Sequence, residues 1–118
     1  MARLGARWLL PLALIAAVAA LPAPAHAVTL TVTKTVDTND GTCGADCSLR
    51  EAIVAANASP GPDAIQLPGG YYKLELPGTG ENLGATGDLN IRSEITVTAV
   101  RGRAIIDAAG IDRVLQVH

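Results

Sequence analysis

Few residues in this chain are of types that could carry chemistry. Cys43 and Cys47 are its only cysteines, separated by Gly44-Ala45-Asp46. Three oxygen-bearing side chains, Asp37, Asn39 and Asp40, run into Gly41, and Asp107, Asp112 and Arg113 form a second polar cluster. The two histidines are His26 and His118. C-x3-C is not the C-x-x-C spacing of thioredoxin-like redox sites. A zinc site would need two further ligands, for which His26 and His118 are poorly placed. In an oxidising compartment an even cysteine count favours pairing, so a Cys43–Cys47 disulfide is expected. Closing so short a loop would stabilise the fold by about 2 kcal/mol.

The acidic clusters read more simply as turns. Asp37, Asn39 and Asp40 fail the EF-hand pattern: Gly41 occupies the third ligand position and no glutamate stands at the twelfth. An Asx-turn loop is the expectation there. A polysaccharide lyase or hydrolase would need clustered carboxylates for calcium or acid–base work, usually with an arginine or lysine. Asp107, Asp112 and Arg113 are the candidates, but Asp107-Ala108-Ala109-Gly110 reads as a turn and Asp112-Arg113 as a polar corner. No catalytic residue, metal or cofactor is therefore expected.

The N-terminus has the layout of an export signal. Arg3 and Arg7 give a basic start, Trp8 to Leu21 an uncharged apolar run, and Pro22 to Ala27 a small-residue end containing Ala25-His26-Ala27. The apolar run is shorter than the roughly 20 residues of a membrane-spanning helix. Cleavage is expected between Ala27 and Val28, placing the product at the cell surface, in the periplasm or outside the cell, with no membrane segment after cleavage. Removing 27 of 118 residues leaves 91, one small domain. Taking Arg3 and Arg7 from nine basic residues leaves seven against eleven acidic ones, a net charge of −4. With no basic stripe and only Tyr71 and Tyr72 as aromatics, nucleic-acid binding is not expected.

The elements that would position these residues are short. Residues 28–36 alternate apolar and polar, predicting a half-buried strand with Val28, Leu30, Val32 and Val36 on one side and Lys34 interrupting that face. Ser48-Leu49-Arg50-Glu51 is a capping box between Ser48 and Glu51. The helix it opens carries Leu49, Ala52, Ile53 and Ala56 as one apolar stripe, with Arg50 and Glu51 beside or opposite it. Asn57 to Pro62 stops the helix. Such a short helix is unstable alone and must lay its stripe on a neighbour. Short strands are predicted over 64–67, 71–76, 88–91, 95–100, 104–107 and 114–117, parted by Gly, Pro, Asp and Asn. Apolar pairs at two-residue spacing with polar corners, and no two-residue hairpin turns between strands, favour a solenoid over a meander.

Cys47-Ser48-Leu49-Arg50-Glu51-Ala52-Ile53 resembles the signature of the CSLREA domain, the N-terminal domain behind the signal peptide of many large bacterial surface and secreted proteins. Thr35 to Gly41, Asp63 to Pro68 and Ile105 to Val114 resemble the flanking family segments, so the likeness spans nearly all of residues 28–118. The resemblance implies a mainly β fold: residues 28–87 as a capping domain of strand plus short helix, and 88–118 as the first coils of a right-handed parallel β-helix. In that setting Cys47 would pin the turn to Cys43, Ser48 and Glu51 would cap the helix, and Leu49, Ala52 and Ile53 would cover the core. Arg50 is left with two readings, an ion pair with a carboxylate or a solvated side chain. Family proteins run on for many coils, so the partner implied is a set of downstream coils or another copy of the chain, with an extracellular carbohydrate or cell-surface ligand as target. The expected role is a non-catalytic structural cap. The alternatives are the N-terminal part of a polysaccharide-active enzyme and a small disulfide-stabilised binding protein.

Overall fold

The computed structural model describes residues 27–111 and 113–118; the expected signal segment, apart from Ala27, and Asp112 lie outside the described residues. The elements in chain order are β1 (Thr29–Thr31), α1 (Leu49–Ala58), β2 (Asp63–Lys73), β3 (Leu89–Ile91), β4 (Ile95–Asp107) and β5 (Leu115–Val117). They form a three-stranded sheet in the order β1-β2-β4 and a two-stranded sheet of β3 and β5. Every pairing is parallel. From β2 onward the chain visits the two sheets alternately. Parallel neighbours need long crossovers, which is why no hairpin turn is needed between these strands. The chain is mainly β with one helix among the described residues. Sheet pairing joins the 28–87 and 88–118 stretches, because β2 and β4 lie side by side over ten residue pairs.

The first strand is shorter than its alternation predicts. Val32 is buried and its amide still reaches Gln66 O, but Thr33 turns to the disulfide loop: its amide donates to Cys47 O at 2.8 Å, and its hydroxyl accepts from the Cys47 amide. Lys34 follows it there, pairing with Asp46 at 2.8 Å. Beyond this departure the alternation has no sheet to act on, and Val36 is exposed rather than on the core face.

The two strands predicted at 64–67 and 71–76 are one strand, β2, with Pro68-Gly69-Gly70 as an internal irregularity. Likewise, 95–100 and 104–107 are one strand, β4. Between Pro68 and Gly70 β2 advances two residues while β4 advances four, from Val100 to Ala104. The buried positions of β2 change parity across this irregularity. Before it Ile65 and Leu67 are buried; after it the buried positions are Tyr72 and Leu74. Arg101 and Gly102 take φ of +54° and +110° to absorb the extra length. Gly69 lies so close to them that a Cβ there would stand 2.6 Å from Arg101 O. The residues that look like strand breakers thus let two bulged strands nest.

The core lies between α1 and the two sheets. Leu49, Ala52, Ile53 and Ala56 are all buried, against Val32, Ile65, Leu67, Tyr72, Leu74 and Leu89.

Candidate functional site

Cys43 and Cys47 form a disulfide with Cα atoms 4.5 Å apart. The bridge delivers the chain to Ser48, the N-cap of α1. The Ser48 hydroxyl accepts from the Glu51 amide at 3.1 Å, and Glu51 Oε1 accepts from the Ser48 amide at 2.8 Å. Both side chains do more than cap. The Ser48 hydroxyl donates to Thr38 O at 2.7 Å. Glu51 Oε2 accepts from the Thr38 hydroxyl at 3.0 Å and from the Asp40 amide at 2.8 Å. The capping box therefore also ties down the 37–42 loop.

Arg50 settles between its two readings: it is 1 % exposed and paired. Its Nε donates to Asp37 Oδ1 at 2.7 Å and its Nη2 to Asp37 Oδ2 at 3.0 Å, a bidentate fork. The remaining donors reach Gly84 O at 2.9 Å and Gly87 O at 2.7 Å. Asp37 Oδ2 also accepts from the amides of Glu75 and Leu76 at 2.7 and 3.1 Å. Burial pushes the Asp37 carboxyl up. The Arg50 guanidinium and the two amides outweigh that and hold it below the usual carboxylate range. One ion pair thus fastens the 37–42 loop, the helix, the end of β2 and the 77–88 loop together. The helical pattern puts Arg50 and Glu51 beside the apolar stripe or opposite it, and both are buried. Helical periodicity records which face is apolar, not whether a charge on its border meets a partner.

Asn57 is a second anchor, and sequence reasoning treated it only as a helix stop. Its carboxamide nitrogen donates to Asn90 O at 2.7 Å, while its oxygen accepts from the Arg92 amide at 2.8 Å. Those two groups flank Ile91 on the edge of β3 opposite β5. One side chain supplies the donor and acceptor that a parallel neighbour's backbone would supply. No signal in the local sequence marks it, since an Asn near a helix end is ordinary.

Among the described residues, the carboxylates of the two polar clusters are taken up by local turns and pairings, and Asp112 lies outside the described residues. Asp37 is committed to Arg50, Asp40 Oδ1 accepts from the Thr42 amide at 2.9 Å, and Asn39 Oδ1 accepts from the Gly41 amide at 3.3 Å. The Thr42 amide is the main reason the Asp40 carboxyl lies low. Asp107 accepts from the Tyr71 hydroxyl and, at 2.8 Å, from the Ala109 amide. The contact with Tyr71 lowers the Asp107 carboxyl and raises the Tyr71 phenol. Arg113 instead lies 3.1 Å from Asp88. The His118 amide donates to Ile91 O at 3.0 Å, and its Nε2 lies 3.3 Å from Asn90 Nδ2. Among the described residues no three metal-binding side chains cluster, and no helix is long and apolar enough to cross a membrane.

No protein-family model, curated protein or solved structure matches this chain. In the fold Ser48, Arg50 and Glu51 act together to join separate loops to the start of the helix.

Proposed function

We propose that this chain is a non-catalytic, N-terminal capping module of an exported parallel β-helix protein, working at the cell surface, in the periplasm or outside the cell. Adhesion or carbohydrate contact would belong to the coils it supports. The observation that carries this reading is a change in burial between neighbouring rungs. Ile65 is fully buried, yet Val97, its register partner on β4, is 42 % exposed; Leu89 is fully buried, yet its β5 partner Leu115 is 46 % exposed. Inward positions are covered on the helix side and bare on the β4–β5 side.

The two sides also differ in how their strand edges end. On one, α1 packs against β2 and β3, and Asn57 occupies the β3 edge. On the other, β4 and β5 are the outer strands of their sheets and Val117 is 75 % exposed. A solenoid needs one covered terminus and one face that accepts the next repeat. The buried Ser48, Arg50 and Glu51 network suits such a cap, because a small domain needs internal fastening to hold its first rung without a large core.

The test is the solution behaviour of the protein starting at Val28, followed by sedimentation velocity and thermal melting. This reading expects self-association through the β4–β5 side, reversed by Val97→Lys and Val117→Lys, which place charge on the inward rows. A cooperative monomer melting above about 65 °C, the upper end of ordinary domains, would remove its support.

A further inference from the structure

Asp63 opens β2 and is 3 % exposed. The partners that reach its carboxylate are neutral: the Val28 amide donates to Oδ1 at 3.0 Å, and the Ser59 hydroxyl donates to the same oxygen at 3.3 Å. Oδ2 is buried with no hydrogen-bond partner among the described residues. The backbone holds Val28 beside the start of β2, since Ala64 N donates to Val28 O at 2.9 Å, and the Asp63 amide is itself fixed by Glu94 O at 3.0 Å. A buried carboxylate served only by neutral donors is costly, and a facing cation with satisfied hydrogen bonds offsets part of that cost. The backbone amide that donates to the Asp63 carboxylate belongs to the residue that the export signal would leave as the new N-terminus.

We propose that cleavage between Ala27 and Val28 completes this site, the freed Val28 ammonium forming an ion pair with the buried Asp63 that fastens β1 to β2. The proposal rests on the export reading above. A signal-peptidase-type hydrolase supplies the step: water adds across the Ala27–Val28 amide, its hydroxyl going to the Ala27 carbonyl carbon and its proton to the Val28 nitrogen as the C–N bond breaks. At neutral pH the amine takes a second proton from solvent. One neutral donor becomes a cation with three N–H groups, enough to serve Oδ2 as well as Oδ1. The pairing partner comes from β2; Ser59 of the turn after α1 and the backbone of Glu94, before β4, complete the surround. Processing would thus be read by the fold: in both forms the ladder pairs β1 with β2, the precursor adding a neutral hydrogen bond to Asp63 and the mature protein a charged one.

The sign of the pH dependence follows. An α-amine ordinarily titrates at about 7.7–8.0, and pairing raises it in the folded state. The added stability is complete below that range and is lost as pH rises through the raised value.

The experiment uses the full chain, exported and processed by a bacterial host, beside a variant carrying one Gly inserted between Ala27 and Val28. Intact mass fixes each N-terminus, nitrogen-15 NMR titrates the α-amine, and thermal melting is followed from pH 6 to pH 10. The expected product begins at Val28. Its amine titrates at least one unit above the ordinary range, a tenfold or greater preference for the charged form. Its melting temperature exceeds that of the Gly-inserted protein at pH 7 and converges on it at high pH. Asp63→Asn should return the amine to its ordinary range; if that variant does not fold, the insertion comparison decides alone. A product that begins at Val28 with an ordinary amine, and melts as the Gly-inserted protein does, overturns the ion pair while leaving export intact. A product beginning elsewhere overturns the cleavage reading, and this proposal with it.

Discussion

Replacing Arg50 with methionine should be the most damaging single change in this protein. Methionine keeps much of the side-chain volume but removes all four of the hydrogen bonds that Arg50 donates. Asp37 would keep its two backbone donors, Glu75 and Leu76, yet remain a buried charge without its counter-ion, and Gly84 O and Gly87 O would lose their donor. Breaking one partner of a buried pair costs about 3–5 kcal/mol. A domain of 91 residues has a stability of about 5–14 kcal/mol, so most of the margin would go. At about 4–8 °C per kcal/mol for a domain of this size, the melting temperature should fall by at least about 12 °C. The double variant Asp37→Leu with Arg50→Met should recover part of that loss, because no buried charge is left stranded. Because the Asp37 carboxyl is held low in the folded state, its contribution is present above the ordinary aspartate value and lost as pH falls through the lowered one. The native protein should therefore lose stability below about pH 4, more steeply than the double variant. Circular dichroism melts of the native protein and both variants from pH 2 to pH 7 make the measurement. An Arg50→Met protein melting within 5 °C of the native, a shift of about 1 kcal/mol, would refute the claim that this pair fastens the loops.

Asn57→Ala strips the β3 edge of its substitute neighbour. It should cost about 1–3 kcal/mol and increase self-association in sedimentation, and unchanged stability and unchanged sedimentation would deny the edge-capping role. Cys43→Ser with Cys47→Ser should lower stability by about 2 kcal/mol in chemical denaturation, since the bridge closes a short loop; a loss several-fold larger would mean that the bridge also holds native geometry. Gly69→Ala puts a methyl group 2.6 Å from Arg101 O. It should cost about 1–3 kcal/mol by overpacking, whereas Gly80→Ala, with open space around it but φ at +77°, should lose only the cost of a left-handed alanine, about 1–2 kcal/mol. A Gly69→Ala protein that melts with the native one would argue against nested bulges.

What the sequence determined by itself is local. The capping box of Ser48 and Glu51, the apolar stripe of Leu49, Ala52, Ile53 and Ala56, and the pairing of two cysteines four residues apart depend on neighbours in the chain, whose geometry is set by a single turn of backbone. The absence of hairpin turns also carried information, and the strands are indeed parallel. What only the tertiary structure decided is every relation across distance. Arg50 meets Asp37 from 13 residues away and Gly87 from 37, and nothing near Arg50 announces either. Val36 satisfies the alternation of a strand yet lies outside, because alternation chooses a face only while a neighbouring strand is present. Pro68-Gly69-Gly70 has the composition of a strand end and becomes a bulge because β4 offers a matching one at Arg101-Gly102. Asn57 acquires its role from the free edge of β3, and Asp63 meets Val28 because parallel pairing brings residues 35 positions apart to the same rung. Periodicity and capping act within a few residues of chain, whereas burial of a charge or satisfaction of a strand edge depends on which distant backbone arrives.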